Sequence, residues 1–250
     1  MIDWEGLLGQ AAHRPWPLPA ARWRVRMSWA RLLFAHWSLP PEALAPRLPP
    51  GLALDTHEGR AFLGLVPFCM EHVSLRGLPD VPGLSTFPEV NLRTYVTAGG
   101  KPGVWFFSLD AHQALAVAAA RATFGLPYFR ARMTARPEGE TTVYASERAH
   151  PGSPAARFAG RYRPTGTPFE PRVGSLEHWL TERYCLYAVR RGRLVRGEIH
   201  HPPWRLQPAA LTLETESLAA AAGVPSPPAE ALLLHYAARQ DALAWPPTAV

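Results

Sequence analysis

Cysteine and lysine are the scarcest reactive residues in this sequence of 250 residues. The two cysteines, Cys69 and Cys185, lie far apart and show neither CxxC nor any paired spacing. We therefore expect no disulfide framework and no zinc site, and we expect both thiols to be free and buried. Lys101 is the only lysine among 26 basic residues, so a mechanism that needs a lysine amine has one candidate.

Long apolar runs and catalytic signatures are also missing. The longest runs, such as ALAVAAA at 114–120, fall short of the ~20 residues that a membrane-spanning helix needs, and no charged-then-apolar leader opens the chain. We expect a cytoplasmic protein without a membrane partner. No GxSxG, Walker, GxGxxG or HExxH motif occurs, so nothing indicates acyl transfer, nucleotide chemistry, a bound metal or a cofactor.

The charge pattern argues against nucleic acid as a partner. The formal net charge is +6, but the arginines are scattered through the chain instead of forming a run or a stripe. Hydrophobic residues make up 47% of the sequence, which is enough to build a substantial core. We predict one domain over 1–250, with an N-terminal segment at 1–21 that wraps around a barrel formed by 22–250.

The hydrophobic pattern predicts many strands and few helices. The 28 prolines keep the elements short, and alternation of large apolar and polar residues predicts a long strand over 22–39. An Ala- and Leu-rich helix is predicted over 111–124, with shorter helices at 40–48 and 175–183. Antiparallel hairpins are predicted at 51–68, 87–111, 128–149 and 184–200, and a closing strand at 231–245. This order predicts an α+β, mostly β fold in which an antiparallel sheet curls into a barrel.

The strand over 87–96 carries an unusual polar face. Side chains alternate on a strand, so Glu89, Asn91, Arg93 and Tyr95 share one face, opposite an apolar face of Val90, Leu92, Thr94 and Val96. Periodicity leaves two interpretations open. The polar face is either solvated, or it lines a barrel cavity in which a carboxylate and a guanidinium orient a polar ligand.

Two histidines and one tryptophan are further candidates. His36 shares a strand face with Phe34, where it is either a core residue or an acid–base group. His201 begins HPPW, which predicts a strand end with Trp204 as an aromatic lid or plug. His200 and His201 are adjacent and point apart on a strand, so they cannot chelate one metal ion together.

Six stretches distributed over the chain carry its most distinctive residues. They are LLFAHW (32–37), FPEVNLRTYV (87–96), GVWFFSLDA (103–111), AARATFGLPY (119–128), LTERYCLY (180–187) and HPPW (201–204). In this order they resemble a family of uncharacterised bacterial proteins typified by YqjF, which has no settled activity. The chain is more distantly similar to acetoacetate decarboxylase, and this similarity implies a closed, cone-like antiparallel barrel around an apolar cavity with a few short helices.

The similarity also implies where a site would lie. The decarboxylase has a glutamate on one strand, an arginine, and a Tyr-Pro-Lys-Lys segment whose first lysine forms a Schiff base with the substrate. Here Phe-Pro-Glu89 resembles the glutamate strand, Arg121 falls at the arginine, and Leu126-Pro127 leads into Tyr128 and Phe129. Both lysines are therefore replaced.

This replacement changes the expected chemistry. Tyrosine cannot form an imine, and Lys101 lies in GGKPG, a predicted exposed hairpin tip. We therefore do not expect Schiff-base decarboxylation. If the protein is an enzyme, the resemblance implies acid–base chemistry on a small carbonyl compound, with Glu89 as the general base and Tyr128 as the acid or oxyanion donor.

Two functional hypotheses follow. In the first, the barrel binds a small, mostly apolar molecule through its carbonyl or carboxylate end. The expected ligand-binding residues are Arg93, Arg121, Asn91, His36, His201 and Trp204. In the second, the protein is a structural or interaction module whose barrel is filled by Trp37, Trp105, Phe107 and Trp204, with Glu89 and Arg93 as a buried ion pair. A homo-oligomer is also compatible with the sequence, because an outer strand with the aromatic residues VWFF can cover its edge or face against a second copy of the chain.

Overall fold

The computed structural model describes residues 2–227 and 233–250, which form mainly strands. The three α-helices in these ranges are α1 (Ala114–Phe124), α2 (Leu176–Thr181) and α3 (Leu218–Ala221). Short 3-10 helices cover Gly6–Gly9, Pro41–Ala43 and Ala45–Arg47. The strands are β1 (Val25–Leu39), β2 (Ala53–Leu54), β3 (Ala61–Leu75), β4 (Phe87–Ala98), β5 (Lys101–Ala111), β6 (Tyr128–Glu138), β7 (Thr141–Arg148), β8 (Arg157–Pro164), β9 (Cys185–Arg190), β10 (Arg193–His200), β11 (Gln207–Glu216), β12 (Leu233–Ala244) and β13 (Thr248–Ala249).

Nine of these strands close into a barrel. Hydrogen-bonded neighbours run β1–β3–β4–β5–β6–β7–β8–β11–β12, and β12 pairs back with β1. The prediction of a mostly β, closed barrel with a few short helices is confirmed. The barrel is mixed, however, because β5 and β6 run parallel from Leu109 opposite Tyr128 to Ala111 opposite Arg130. A parallel pair needs a crossover connection, and α1 supplies it.

The hairpin of β9 and β10 closes a second circuit, β1–β3–β4–β5–β9–β10–β12, which shares five strands with the nine-strand barrel but encloses a separate interior. β9 pairs in parallel with β5, and β10 pairs with β12. The strands β1, β3 and β4 therefore carry apolar side chains on both faces, and each face belongs to a different core cluster. One cluster includes Phe34, Phe62, Phe68, Tyr95, Tyr128 and Trp204, and the other includes Leu33, Trp37, Leu63, Val90, Leu92 and Phe158.

The structure departs from the predicted elements at several places. The helix predicted from 111 begins at Ala114, because β5 continues to Ala111 and the Gln113 side chain caps the helix. The predicted hairpin over 51–68 does not form, since β2 pairs with β4 and not with β3. Strand β8 was not predicted. Residues 231 and 232 of the predicted closing strand lie outside the described residues.

The N-terminal residues lie against the outer side of β10 and β12. Trp4, Leu7, Leu8 and Leu18 pack in a cluster with Trp23, Leu243 and Trp245. Arg14 Nη1 donates to the Ile199 carbonyl oxygen over 2.6 Å, and Trp16 Nε1 donates to Glu198 Oε2 over 2.8 Å. These contacts cover the side of β10 that carries Glu198.

Candidate functional site

The polar face of β4 points into the protein. Glu89 and Asn91 are 2% and 4% exposed, and Tyr95 is fully buried. The neighbouring Phe87 and Tyr95 belong to the cluster that contains Tyr128 and Trp204, whereas Val90 and Leu92 belong to the other cluster. The solvated interpretation of this face is therefore wrong, and its polar side chains are held in a largely apolar interior.

Glu89 and Tyr128 meet in this interior. Tyr128 Oη donates a hydrogen bond to Glu89 Oε2 over 2.9 Å, and Tyr128 is 9% exposed. Tyr128 is the first residue of β6, which pairs with β5, and β5 pairs with β4. The two side chains come from positions 39 residues apart in the sequence. The contact thus depends on the parallel seam between β5 and β6.

The local sequence explains how the chain delivers Tyr128 to this point. Helix α1 ends at Gly125, whose φ of 72° lies in the left-handed region that glycine adopts without penalty. Pro127 cannot continue a helix, and its carbonyl oxygen accepts a hydrogen bond from Leu109 N over 3.1 Å. The GLPY segment therefore both stops the helix and starts the strand that carries Tyr128.

Burial sets the protonation of this pair. It raises the pKa of Glu89 to about 8, and the nearby Asp110 carboxylate adds to the rise, while hydrogen bonds from Tyr128 and Asn91 oppose it. Burial also raises the pKa of Tyr128 well above its ordinary value, and Glu89 reinforces that shift. At pH 7 Glu89 is mostly protonated, so it can exchange a proton with a ligand close to neutral pH.

A second polar group lies further along β4. His36, Gly64 and Arg93 are directly opposite one another on β1, β3 and β4. His36 and Tyr95 share a hydrogen bond of 2.6 Å between Nε2 and Oη, and Arg93 Nη2 donates to the same Oη over 3.4 Å. The Arg93 guanidinium lies 5.2 Å from the centre of the Phe34 ring.

The expected ion pair between Glu89 and Arg93 does not form. Glu89 is hydrogen-bonded to Tyr128 and Asn91, and Arg93 contacts Tyr95 and the Phe34 ring. Among the ion pairs of residues 2–227 and 233–250, none includes Arg93. The buried ion pair that the structural hypothesis expects on β4 is therefore absent from the described residues.

Trp204 and His201 occupy different positions. Trp204 is 3% exposed, meets the Phe34 ring edge-on at 4.9 Å and stacks on Trp29 at 5.7 Å. His201 is buried behind it, stacked on Tyr184 at 4.8 Å. Its ring nitrogens face the carbonyl oxygens of Pro202 and Arg183. Trp204 thus belongs to the same apolar cluster as Tyr128, whereas the His201 ring contacts backbone carbonyl oxygens and packs against Tyr184 and Trp204.

Arg121 is not brought into this interior. It lies near the end of α1, is exposed, and its Nη1 donates to the Tyr128 carbonyl oxygen over 2.6 Å. Its place as a ligand-binding residue is therefore not supported by the geometry, because α1 packs Val117, Ala120 and Phe124 against the cluster around Tyr128 and leaves Arg121 exposed. Arg121 instead holds the backbone of the residue whose hydroxyl meets Glu89.

Two groups were missed by the sequence analysis. Arg183 is 8% exposed, pairs with Asp55 and lies 5.0 Å from the centre of the Tyr95 ring. Asp110 forms a buried pair with Arg148, with 2.6 Å between Oδ1 and Nη2. Strand alternation could have placed Asp110 on a face, but only the barrel brings Arg148 and Arg183 to their partners.

No group of three or more His, Cys, Asp or Glu side chains in the described ranges is arranged to hold a metal ion. The helices in the same ranges are too short or too polar for any of them to cross a membrane.

Comparison with known sequences identifies relatives over most of the chain. The DUF2071 family, described as an uncharacterized conserved protein, matches residues 26–241. The uncharacterized protein YqjF of Bacillus subtilis (strain 168) is 44% identical over 229 residues, which span 92% of this chain and 93% of YqjF. The resemblance drawn from the six sequence stretches is confirmed.

Solved structures with the same fold include enzymes. The enduracididine biosynthesis enzyme MppR complexed with pyruvate has a TM-score of 0.64 and 16% identity, over 94% of this chain and 93% of that chain. An acetoacetate decarboxylase-like enzyme from Sphingomonas wittichii RW1 has a TM-score of 0.58 and 16% identity, over 95% and 98% of the chains. Acetoacetate decarboxylase from Legionella pneumophila has a TM-score of 0.55 and 16% identity, over 100% and 97%. The expected acetoacetate-decarboxylase-like barrel is therefore confirmed as a fold.

Proposed function

The chain belongs to the DUF2071 family, and we propose that the interior of the second circuit, where Tyr128 meets Glu89, binds a small, mostly apolar molecule through a carbonyl or carboxylate end. The observation that carries the proposal is the buried hydrogen bond of 2.9 Å between Tyr128 and Glu89. Buried carboxyl groups with strongly shifted pKa values are concentrated at functional sites. This pair is surrounded by apolar side chains, as expected for a pocket with few polar groups that orient a ligand.

The fold supports the same class of ligand. A structure of MppR with this fold contains pyruvate, and another contains the condensation product of pyruvate and imidazole 4-carboxaldehyde. Both molecules are small carbonyl compounds. The identity to MppR is 14–16%, so this support concerns the shape of the barrel and not individual residues.

The chemistry proposed here does not use an imine. Lys101 is the only lysine, and its Nζ lies 3.4 Å from Glu198 Oε1 and 5.0 Å from the centre of the Trp16 ring, away from Glu89. Schiff-base decarboxylation would need an amine beside Glu89, where Tyr128 lies. If catalysis occurs, Glu89 exchanges a proton with the ligand and Tyr128 donates a hydrogen bond to the oxygen of its carbonyl group.

The alternative, a structural module with a filled barrel, has less support in the interior of the second circuit, where Tyr128 meets Glu89, than in the nine-strand barrel, whose interior cluster draws side chains from all nine strands. Trp37 and Phe107 pack in the cluster on the other side of β1 and β4, and Trp105 packs with a third cluster that includes Tyr187. Of the four aromatic residues expected to fill the barrel, Trp204 shares a cluster with Tyr128. The expected aromatic plug is therefore divided among separate clusters.

The proposal is tested with benzaldehyde, a neutral carbonyl probe, in isothermal titration and thermal-shift measurements on the full chain. We expect binding that Tyr128→Phe weakens by about 5- to 30-fold, since one hydrogen bond is worth ~1–2 kcal/mol, while the fold is retained. Glu89→Gln should weaken binding in the same direction.

Tyr187→Phe is the matched control. Tyr187 is a buried tyrosine whose hydroxyl lies 2.7 Å from the Lys101 carbonyl oxygen and 3.1 Å from that of Ala98, in a different cluster from Tyr128. It should leave the affinity for benzaldehyde unchanged. The proposal is abandoned if the wild-type protein binds neither benzaldehyde nor any small keto acid in a panel, and native mass spectrometry shows no bound molecule. An unfolded Tyr128→Phe variant would favour the structural module.

A further inference from the structure

Four buried nitrogen atoms without hydrogen-bond partners lie close together in the interior. They are His36 Nδ1, Arg93 Nε, Arg183 Nη2 and Trp204 Nε1, and we call these four side chains the donor cluster. Buried polar atoms are almost always paired, because an unpaired one loses its hydration without compensation. Four such atoms on neighbouring side chains therefore need a common explanation.

The rings of Phe34 and Tyr95 hold the donor cluster together. Phe34 contacts the rings of His36 and Trp204 at 5.8 and 4.9 Å, and it lies 5.2 Å from the Arg93 guanidinium. Tyr95 lies 5.0 Å from the Arg183 guanidinium and 5.6 Å from that of Arg93.

Gly64 lets two members of the donor cluster approach each other. A Cβ atom at Gly64 would lie 3.2 Å from His36 Cδ2 and 3.4 Å from Arg93 Cγ. A side chain at this position would fill the space between His36 and Arg93.

All four atoms are donors. Arginine and tryptophan nitrogens can only donate. Tyr95 Oη accepts from Arg93 Nη2 and lies 2.6 Å from His36 Nε2, and in the tautomer in which Tyr95 donates to Nε2 the imidazole proton is on Nδ1. Burial and the Arg93 charge lower the pKa of His36 well below its ordinary value, so the ring is neutral. The donor cluster therefore selects a group that accepts several hydrogen bonds.

Arg93 is the cation of the donor cluster that lacks a counter-charge. Arg183 pairs with Asp55, whereas Arg93 has no carboxylate partner among the described residues. The other ionisable groups around the cluster include His36, His201 and His235, whose pKa values are lowered by burial, and Glu182, whose carboxylate accepts a hydrogen bond from Trp204 N. A negative charge beside Arg93 would supply its missing partner.

We propose that the donor cluster binds the carboxylate group of a small, planar, apolar acid. A carboxylate is planar and accepts hydrogen bonds at two oxygens, as guanidinium groups require. The aromatic rings of Phe34, Phe62, Tyr95 and Trp179 around the cluster favour a planar apolar body next to it. This inference rests on the proposed function in that both place the ligand in the same interior.

The arrangement along β4 gives the ligand a direction. Arg93 follows Glu89 by four residues on the same face, which is roughly 13 Å along a strand. A carboxylate at Arg93 therefore leaves the opposite end of the ligand to face Glu89 and Tyr128.

The test compares sodium benzoate with benzamide, which has the same ring and nearly the same shape but no charge. Titration of the full chain at pH 7 should show benzoate binding at least 10-fold more tightly than benzamide. Arg93→Gln should abolish this preference, and Trp204→Phe, which removes one N–H donor but no charge, should weaken benzoate by about 3- to 10-fold. Arg132→Gln, at an exposed arginine on β6, should change nothing.

The outcomes separate this inference from the proposed function. Equal affinity for benzoate and benzamide in the wild-type protein, or a preference that survives in folded Arg93→Gln, overturns the carboxylate site even if benzaldehyde binds. Inorganic phosphate that competes with benzoate at equal concentration also overturns it, because the site would then be a general anion site. If Arg93→Gln does not fold, the wild-type preference and Trp204→Phe decide the question.

Discussion

At the scale of single residues, Glu89 shows that burial, and not residue type, determines whether a carboxyl group is protonated at neutral pH. The side chain is a carboxylic acid on a strand face, which the sequence predicts as either a solvated or a cavity residue. The structure places it at 2% exposure beside Tyr128, and desolvation raises its pKa to about 8. The same residue type on a solvated face would be ionised at neutral pH and would not hold a proton for a ligand.

The raised pKa of Glu89 predicts a pH-dependent stability. In the folded state the carboxyl group keeps its proton up to about pH 8, whereas in the unfolded chain it loses it near its ordinary value of 4.5. The unfolded state is therefore favoured increasingly as the pH rises from 4.5 to 8, and the effect levels off above 8. We expect Glu89→Gln, which cannot ionise, to unfold at a higher temperature than the wild type at pH 9 and at nearly the same temperature at pH 5.

This prediction is measured by thermal unfolding at pH 5, 7 and 9. Each kcal/mol corresponds to roughly 2–4 °C in a protein of this size. Glu140→Gln, at the exposed tip of the β6–β7 hairpin, is the control and should show no such trend. If the unfolding temperatures of Glu89→Gln and the wild type differ by the same amount at all three values of pH, then Glu89 is not held protonated in the folded state.

At the scale of elements, the turn from α1 into β6 positions the site. Gly125 ends the helix in a left-handed conformation at the place where the chain passes β9. A Cβ atom there would lie 2.8 Å from the Val189 carbonyl oxygen, so both the backbone conformation and the packing require glycine. Tyr128 follows three residues later, so its position depends on this turn.

Gly125→Ala should therefore destabilise the protein more than a glycine replacement at an open turn. Gly139 in the β6–β7 turn also has a positive φ, 62°, but no atom lies within 4 Å of a Cβ atom placed there. Gly139→Ala measures the conformational penalty alone, about 1 kcal/mol, and Gly125→Ala should cost at least about 1 kcal/mol more. Urea unfolding of the two variants gives this difference, and equal costs would show that Val189 moves away freely.

At the scale of the whole molecule, the seam between β5 and β6 has few backbone contacts and is supported by one buried ion pair. β5 and β6 share three residue pairs along their parallel seam. Next to this seam Arg148, at the end of β7, binds Asp110 of β5 through both of its carboxylate oxygens, at 2.6 and 2.9 Å. The guanidinium also lies 3.9 Å from the centre of the Phe129 ring. The pair therefore links two strands that are not hydrogen-bonded neighbours.

Arg148→Met should destabilise the protein by about 3–5 kcal/mol, because it leaves the Asp110 carboxylate buried without its counter-charge. Adding Asp110→Asn should recover part of this loss, since the buried charge is then removed. Chemical unfolding of both single variants and the double variant measures the coupling. A loss below about 1 kcal/mol in Arg148→Met, or additive losses, would show that this pair does not hold the seam.

Much of the local structure follows from the sequence, since it depends on neighbouring residues. Alternation placed Glu89, Asn91, Arg93 and Tyr95 on one strand face, and glycine and proline located the end of α1 and the start of β6. The resemblance to acetoacetate decarboxylase puts Tyr128 at the position of the Schiff-base lysine, and tyrosine cannot form an imine. These conclusions required no knowledge of which strands are neighbours.

Only the tertiary structure decided which distant residues meet. The parallel seam of β5 and β6, the pairing of β2 with β4, the contact of Glu89 with Tyr128 and the position of Arg183 beside Tyr95 all join residues far apart in the chain. Strand periodicity is the same whether a face turns to water or to a core, and it does not specify the neighbouring strand. The protonation of Glu89 follows from that choice of neighbours, because desolvation is a property of the folded interior.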